Sequence, residues 1–211
     1  MNSIITNLTE RLKHTLPGVK AQLLMGSEIR MKKLKWIAEN KKTKNSGVLI
    51  LLYPHNQSVY SVLIQRPEYK GTHGGQVSLP GGKKEAEDDD IIKTALREAQ
   101  EEIGVNRNEI RIIGSLSRLY IPPSNFVIYP SVGYISKRPV FIPCAEEVDE
   151  IIEYDIMSLL DPEIKKITRI KILKIFSFNA PYFDVHKKIV WGATAMVLSE
   201  FREILAEIIK K

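Results

Sequence analysis

Apolar residues recur one helical turn apart at Ile4, Leu8 and Leu12, and the pattern stops before Pro17-Gly18, so an amphipathic helix is expected over about residues 2–15. From 19 to 45 the periodicity is lost and lysine dominates, which reads as an arm or loop. The apolar run 47–53 and the segment 58–66 are strand-sized and flank the turn-like Pro54-His55-Asn56-Gln57. A glycine-rich stretch at 71–82 leads through an acidic patch into an expected helix over 89–103, stopped by Gly104. Segments 110–120, 126–135, 148–156 and 164–178 read as strands or strand-rich, with Pro122-Pro123, Pro139 and Pro143 separating the first three. Met196, Val197, Phe201, Ile204, Leu205 and Ile208 mark a last amphipathic helix over about 192–210. Strands interleaved with few helices predict an α/β or α+β fold with a mixed sheet. With no linker in view, the expected organisation is an N-terminal helix and basic arm (1–45) packed on one domain (46–211).

Composition narrows the class. Of 211 residues, 44% are hydrophobic and 27% charged, a globular balance that excludes wholesale disorder. No apolar run approaches the ~18 residues of a membrane span. The first residues lack a basic-then-apolar signal layout, so a cytoplasmic protein is expected. Cys144 is alone, and His14, His55 and His186 lack metal-ligand spacing. Lys plus Arg total 31 against 25 Asp plus Glu, a net charge of +6. The excess crowds Lys32, Lys33, Lys35, Lys41, Lys42 and Lys44, then Lys165, Lys166, Arg169, Lys171 and Lys174. Such stretches are either solvated surface or an attraction to a polyanion, and charge alone does not separate the two.

The strongest chemical signal is the stretch 95–105, ALREAQEEIGV. On a helix, with Glu98 at zero, Glu101 falls at about −60° and Glu102 at about +40°. Ile92, Ala95, Leu96, Ala99 and Ile103 fill the adjoining sector and are free to pack on a sheet, while Arg97 stands four residues before Glu101. Three carboxylates beside an apolar face repel one another and need compensation. A magnesium ion bound through oxygen ligands supplies it, and the preceding glycines at 71, 74, 75, 81 and 82 permit close backbone approach to phosphate or metal.

Segment 81–105, GGKKEAEDDDIIKTALREAQEEIGV, resembles the Nudix box: a glycine, an acidic residue, then R-E-U-x-E-E-x-G-U with U aliphatic. Gly82, Arg97, Glu98, Ala99, Glu101, Glu102, Gly104 and Val105 match. Gly82 and Arg97 stand one residue farther apart than usual, and Asp88 or Asp89 replaces the first glutamate. That departure is similar to the coenzyme A diphosphatase branch, as are Leu63, Arg66, Gly75, Pro80, Gly81 and Gly82 in the segment 62–82. The branch's second upstream arginine is replaced by Gly71, with Lys70 as a neighbouring basic group. Segments 16–25, 120–126 and 189–198 carry further likeness, so the resemblance covers most of the chain.

The resemblance implies a Nudix-type α/β/α sandwich and metal-dependent hydrolysis of coenzyme A to 4′-phosphopantetheine and 3′,5′-ADP. It implies Glu98, Glu101, Glu102 and the Gly81 carbonyl as ligands of Mg2+ or Mn2+, with Glu98, Glu101 and Arg97 as catalytic residues. Glu147 or Glu150 is a candidate for completing the site, and Arg66, Lys70, Gly82 and the arm 30–44 for binding substrate. Other nucleoside diphosphate derivatives, such as ADP-ribose or NADH, share this chemistry. An RNA 5′-end hydrolase and a non-catalytic binding module are the remaining alternatives. The scarcity of aromatics in the basic stretches argues against nucleic acid, and a homodimer is compatible with the sequence.

Overall fold

The computed structural model describes residues 2–28, 30, 43–68, 74–172 and 176–210. In chain order the elements are α1 (Asn2–Arg11), α2 (Gly18–Leu23), β1 (Lys44–His55), β2 (Ser58–Gln65), β3 (Val77–Ser78), β4 (Gly81–Lys83), α3 (Ile91–Ile103), β5 (Arg111–Ser115), β6 (Leu119–Ile121) and β7 (Phe126–Tyr134). They continue with β8 (Glu150–Asp155), β9 (Lys165–Ile172), β10 (Phe176–Val185), β11 (Lys188–Trp191) and α4 (Gly192–Ile209).

β1 organises the main sheet. It runs parallel to β7, from Lys44 opposite Phe126 to Leu52 opposite Tyr134. Its other edge changes partner midway: β4 pairs antiparallel at Ser46–Val48, then β2 at Tyr53–His55. Among the described residues β3, β2, β1, β7 and β5 form the sheet path, with β8 on β2 and β6 on β7. β9, β10 and β11 form a second, antiparallel sheet. The β1–β2 connection is a two-residue hairpin turn with Asn56 and Gln57 both at positive φ (46° and 61°), a twist that matches paired strands.

The continuous apolar run in β1 is explained by burial on both faces. Leu49, Leu51 and Tyr53 join Val62, Ile64, Ala95, Leu96, Ala99 and Ile103 under α3. Ile50, Leu52 and Leu63 point to the opposite side, where α4 contributes Met196, Phe201, Ile204 and Leu205. This is the expected α/β/α arrangement around a mixed sheet. Helix α3 begins where Asp90 accepts a hydrogen bond from the Lys93 amide (2.8 Å) and ends at Gly104, left-handed at φ 71°.

Three local expectations change. The first helix stops at Arg11, and α2 forms inside the segment read as irregular. Ala21 and Gln22 are buried there, and Ile5, Leu8, Leu12 and Met25 enter the α4-side core, so tertiary packing supports a turn and a half of helix that periodicity did not mark. The glycine-rich stretch also holds two short strands, β3 and β4. Residues 31–42 of the basic arm lie outside the described residues. Arg30 is described, and its Nη2 donates to the Tyr120 carbonyl (2.9 Å).

Candidate active site

Two elements meet at the site: α3, whose apolar face locks it over β1, and β4, which hydrogen-bonds the start of β1. The polar edge of α3 therefore lies against Gly81-Gly82. A Cβ on Gly82 would stand 2.4 Å from each atom of the Glu98 carboxyl group. Glycine here is a matter of contact distance, since any side chain would occupy the volume Glu98 fills. Gly82→Ala is expected to displace Glu98, a flexible side-chain end, more than the backbone. At least a ~10-fold loss of turnover should accompany a Tm within ~4 °C of the parent. A large drop in Tm with normal specific activity would contradict this placement.

Glu102 lies one turn on, with its side chain fully buried. One carboxylate oxygen accepts the Gly81 amide (2.8 Å) and the other accepts Arg66 Nη2 (3.1 Å). Burial pushes its carboxyl up to about 7, opposed by Arg66 and the Gly81 amide and reinforced by Glu98 and Glu147. Burial also raises the Glu98 carboxyl. Glu147, exposed on the turn before β8, completes a trio: one carboxylate oxygen from each of Glu98, Glu102 and Glu147 lies within 4.8 Å of the others. The turn is pinned beside α3 because the Cys144 amide donates to the Glu102 carbonyl (3.0 Å) and the Asp149 amide to the Gln65 carbonyl (2.9 Å).

The donor set suits a hard divalent cation. It consists of one carboxylate oxygen from each of three glutamates, all within 4.8 Å of one another, with Glu98 and Glu102 raised in pKa chiefly by burial. Glu98, Glu102 and Glu147 are the described residues that would hold it. The Gly81 carbonyl, expected as a further ligand, accepts Arg66 Nη2 at 3.4 Å.

Glu101 stands apart from the trio. It is about half exposed and pairs with Arg97 at 2.7 Å, as the spacing of four residues anticipated. Arg97 is held by several acceptors. It donates to both oxygens of Asp88 (3.0 and 3.1 Å) and to the Lys83 carbonyl (3.2 Å), and it pairs with Glu98 at 3.0 Å. The open choice of acidic residue thus falls on Asp88, which is buried, whereas Asp89 is exposed. The extra residue relative to the usual box therefore follows Asp88. Glu150 points away to Lys188 (2.5 Å). Lys70, Gly71 and His73 lie outside the described residues.

The Arg97 hydrogen bonds, joined by the Glu85 amide and Thr94 hydroxyl, hold the Asp88 carboxyl well below the usual carboxylate range despite its burial. A depressed folded pKa stabilises the protein above the unfolded value and loses that contribution as pH falls toward the folded one. Asp88→Asn should therefore cost about 2 kcal/mol near pH 7. In urea unfolding the gap to the parent should narrow as pH drops below ~4. A gap independent of pH would contradict the ionised pairing.

An α/β/α sandwich thus gathers the carboxylates of Glu98, Glu102 and Glu147 beside the Gly81-Gly82 backbone. Residues 43–179 match the NUDIX domain, and the chain belongs to the Nudix family. Over 138 residues it is 34% identical to the mitochondrial coenzyme A diphosphatase NUDT8 of Mus musculus, spanning 64% of this chain and 65% of that protein, just under two thirds of its length. It is also 34% identical over 165 residues to the uncharacterized Nudix hydrolase NudL of Pectobacterium atrosepticum, covering 74% of this chain and 80% of that one. The NUDIX domain of Shewanella oneidensis NrtR, solved in complex with ADP ribose, superposes with a TM-score of 0.53 at 17% identity, over 83% of this chain and 97% of that one, which shows the shared fold. The mouse relative is mitochondrial by name, so the cytoplasmic expectation rests on this chain's sequence alone. Among the described residues no helix is long and apolar enough to cross a membrane.

Proposed function

We propose that the protein is a Mg2+- or Mn2+-dependent Nudix hydrolase that cleaves the diphosphate of coenzyme A, giving 4′-phosphopantetheine and 3′,5′-ADP. The observation that carries the reading is the convergence of Glu98, Glu102 and Glu147 beside Gly81-Gly82. The likeness to a named coenzyme A diphosphatase, together with the branch-type residues Arg66, Gly75 and Pro80, supports this substrate among nucleoside diphosphates.

In the reaction a water oxygen bonds to one phosphorus, the bridging P–O bond breaks, and two phosphate monoesters leave. A divalent cation on the trio would supply charge neutralisation at the phosphoryl oxygens and an acidified water. The protein's own part is positioning. Glu102, fixed by the Gly81 amide, sets the depth of the site, while Arg97 and Gly82 fix the Glu98 carboxylate. Burial makes Glu98 more basic than an exposed glutamate, which suits it to accept the proton of the attacking water. Glu101 would join the ligands only by leaving Arg97.

The test is a substrate panel: coenzyme A, acetyl-CoA, ADP-ribose, NADH and capped RNA, each with Mg2+ or Mn2+, with products separated and weighed by mass spectrometry. Coenzyme A cleaved best, to 4′-phosphopantetheine and 3′,5′-ADP, is the expected result. Preference for ADP-ribose or NADH would keep the hydrolase and sink the coenzyme A assignment. Cleavage of capped RNA alone would redirect it to RNA ends, and no metal-dependent cleavage at all would leave a binding module.

A further inference from the structure

Arg66 and Arg97 both pair with carboxylates of the trio, but they are held very differently. Arg97 is tied to Asp88, Glu101 and the Lys83 carbonyl as well as to Glu98, with only 17% of its side chain exposed. It has no freedom to leave. Arg66 has one carboxylate partner, Glu102, and a long contact to the Gly81 carbonyl; among the described residues both hydrogen bonds leave from the same nitrogen, Nη2. Among the described residues no acceptor meets its other guanidinium nitrogens, and 26% of the side chain is exposed. Its backbone is firm, because the Arg66 amide donates to the Gln76 carbonyl (3.0 Å) just past the end of β2. A fixed stem with a loosely held head beside a fully buried carboxylate is the arrangement of an exchangeable counter-ion.

We infer that Arg66 is the resident counter-ion of the site: it neutralises Glu102 until a divalent cation takes over that charge, and its guanidinium then turns to the anionic diphosphate of the substrate. This role rests on the metal-dependent diphosphatase reading and deepens it. Once a dication sits within the trio, the positive guanidinium beside it is repelled, and an incoming diphosphate offers the planar, bidentate acceptor that arginine prefers. Arg66 thus couples metal binding to substrate binding, so that the basic group becomes available only when the metal is in place.

The alternative is that Arg66 permanently orients Glu102 as a metal ligand, and the two roles predict opposite signs. Mn2+ binding is measured without substrate, by loss of the free-ion EPR signal, and ADP binding by calorimetry in Mg2+. For Arg66→Gln the counter-ion role predicts Mn2+ affinity at least ~10-fold tighter, because a competing unit charge a few ångströms away is removed. It predicts ADP affinity at least ~10-fold weaker, because a charge-assisted contact is lost. Weaker or unchanged Mn2+ binding would overturn the proposal. If Arg66→Gln does not fold, the parent protein decides: Mg2+ alone should shift the 15N Nε–H resonance of Arg66 out of its ion-paired position, and a resonance indifferent to saturating Mg2+ would equally overturn it. The Mn2+ sign is independent of whether coenzyme A is cleaved, so failure of this role and failure of the substrate assignment are separable.

Discussion

Glu102→Gln is expected to lower turnover at least ~100-fold while leaving the fold intact, since charge stabilisation at a bound cation is worth several kcal/mol. The carboxylate is fully buried, accepts from the Gly81 amide on one oxygen and from Arg66 on the other, and belongs to the carboxylate trio. An amide keeps the shape but carries no charge. It also turns one acceptor into a donor that must face either Arg66 or the Gly81 amide. Stability should suffer little at pH 8 without metal, because a carboxyl pushed up to about 7 by burial is held ionised there at a cost, and the amide escapes it. Turnover and thermal melts of the same preparation check both halves. Near-normal activity would remove Glu102 from the site, and collapse of the fold would reassign it to structure.

The second large effect is on stability and lies across the sheet. Glu200, on α4, is 0% exposed. One of its oxygens accepts the Gly18 amide (3.0 Å), the other accepts Gln22 Nε2 (3.0 Å), and the Ser117 amide reaches both (3.3 and 3.2 Å). This carboxylate joins α2, the segment after β5 and α4, and it holds the N-terminal helices on the core. Glu200→Leu fills similar space but removes the acceptor of the Gly18 and Ser117 amides, leaving Gln22 Nε2 only the Ser117 carbonyl (3.0 Å), at about 1–3 kcal/mol for each donor left unpaired. A total near ~3 kcal/mol predicts a Tm lowered by ~6–12 °C for a chain of this size. Glu200→Gln, which retains one acceptor, should lose less. A leucine variant melting within ~2 °C of the parent would show that the network contributes no net stability. Cleavage below the melting range should persist in both variants, since the trio sits on the other face.

Part of the first argument is legible in the sequence. The 95–105 stretch announces itself because helical spacing and chemistry coincide in one short segment, so local geometry alone aligns Glu98 and Glu102 and pairs Arg97 with Glu101. The β1 run was readable for the same reason, as seven consecutive apolar or small residues suit a strand covered on both sides. Glu147 was one of two equivalent candidates, with Glu150, in an acidic run. What separates them is the turn pinned by the Cys144 and Asp149 amides, and those bonds connect residues far apart in the chain. Glu200 carried no signal at all, since a glutamate on a terminal helix ordinarily faces solvent. Helix α2 was missed because its stability comes from contacts with α4, with no periodicity of its own.

The order of residues by itself determined the acidic helix and an α/β or α+β class with a mixed sheet, because each depends on spacing within one element or between neighbours, while the glycine pair beside the helix and the layered sandwich came with the likeness to the Nudix box. Only the tertiary structure decided which carboxylates share a centre, that Asp88 rather than Asp89 anchors Arg97, and that Arg66 faces Glu102. Those outcomes depend on which strand lies beside which, and on how deeply each charge is removed from water. Strand pairing and burial arise from the whole chain packing at once, and a local pattern carries neither.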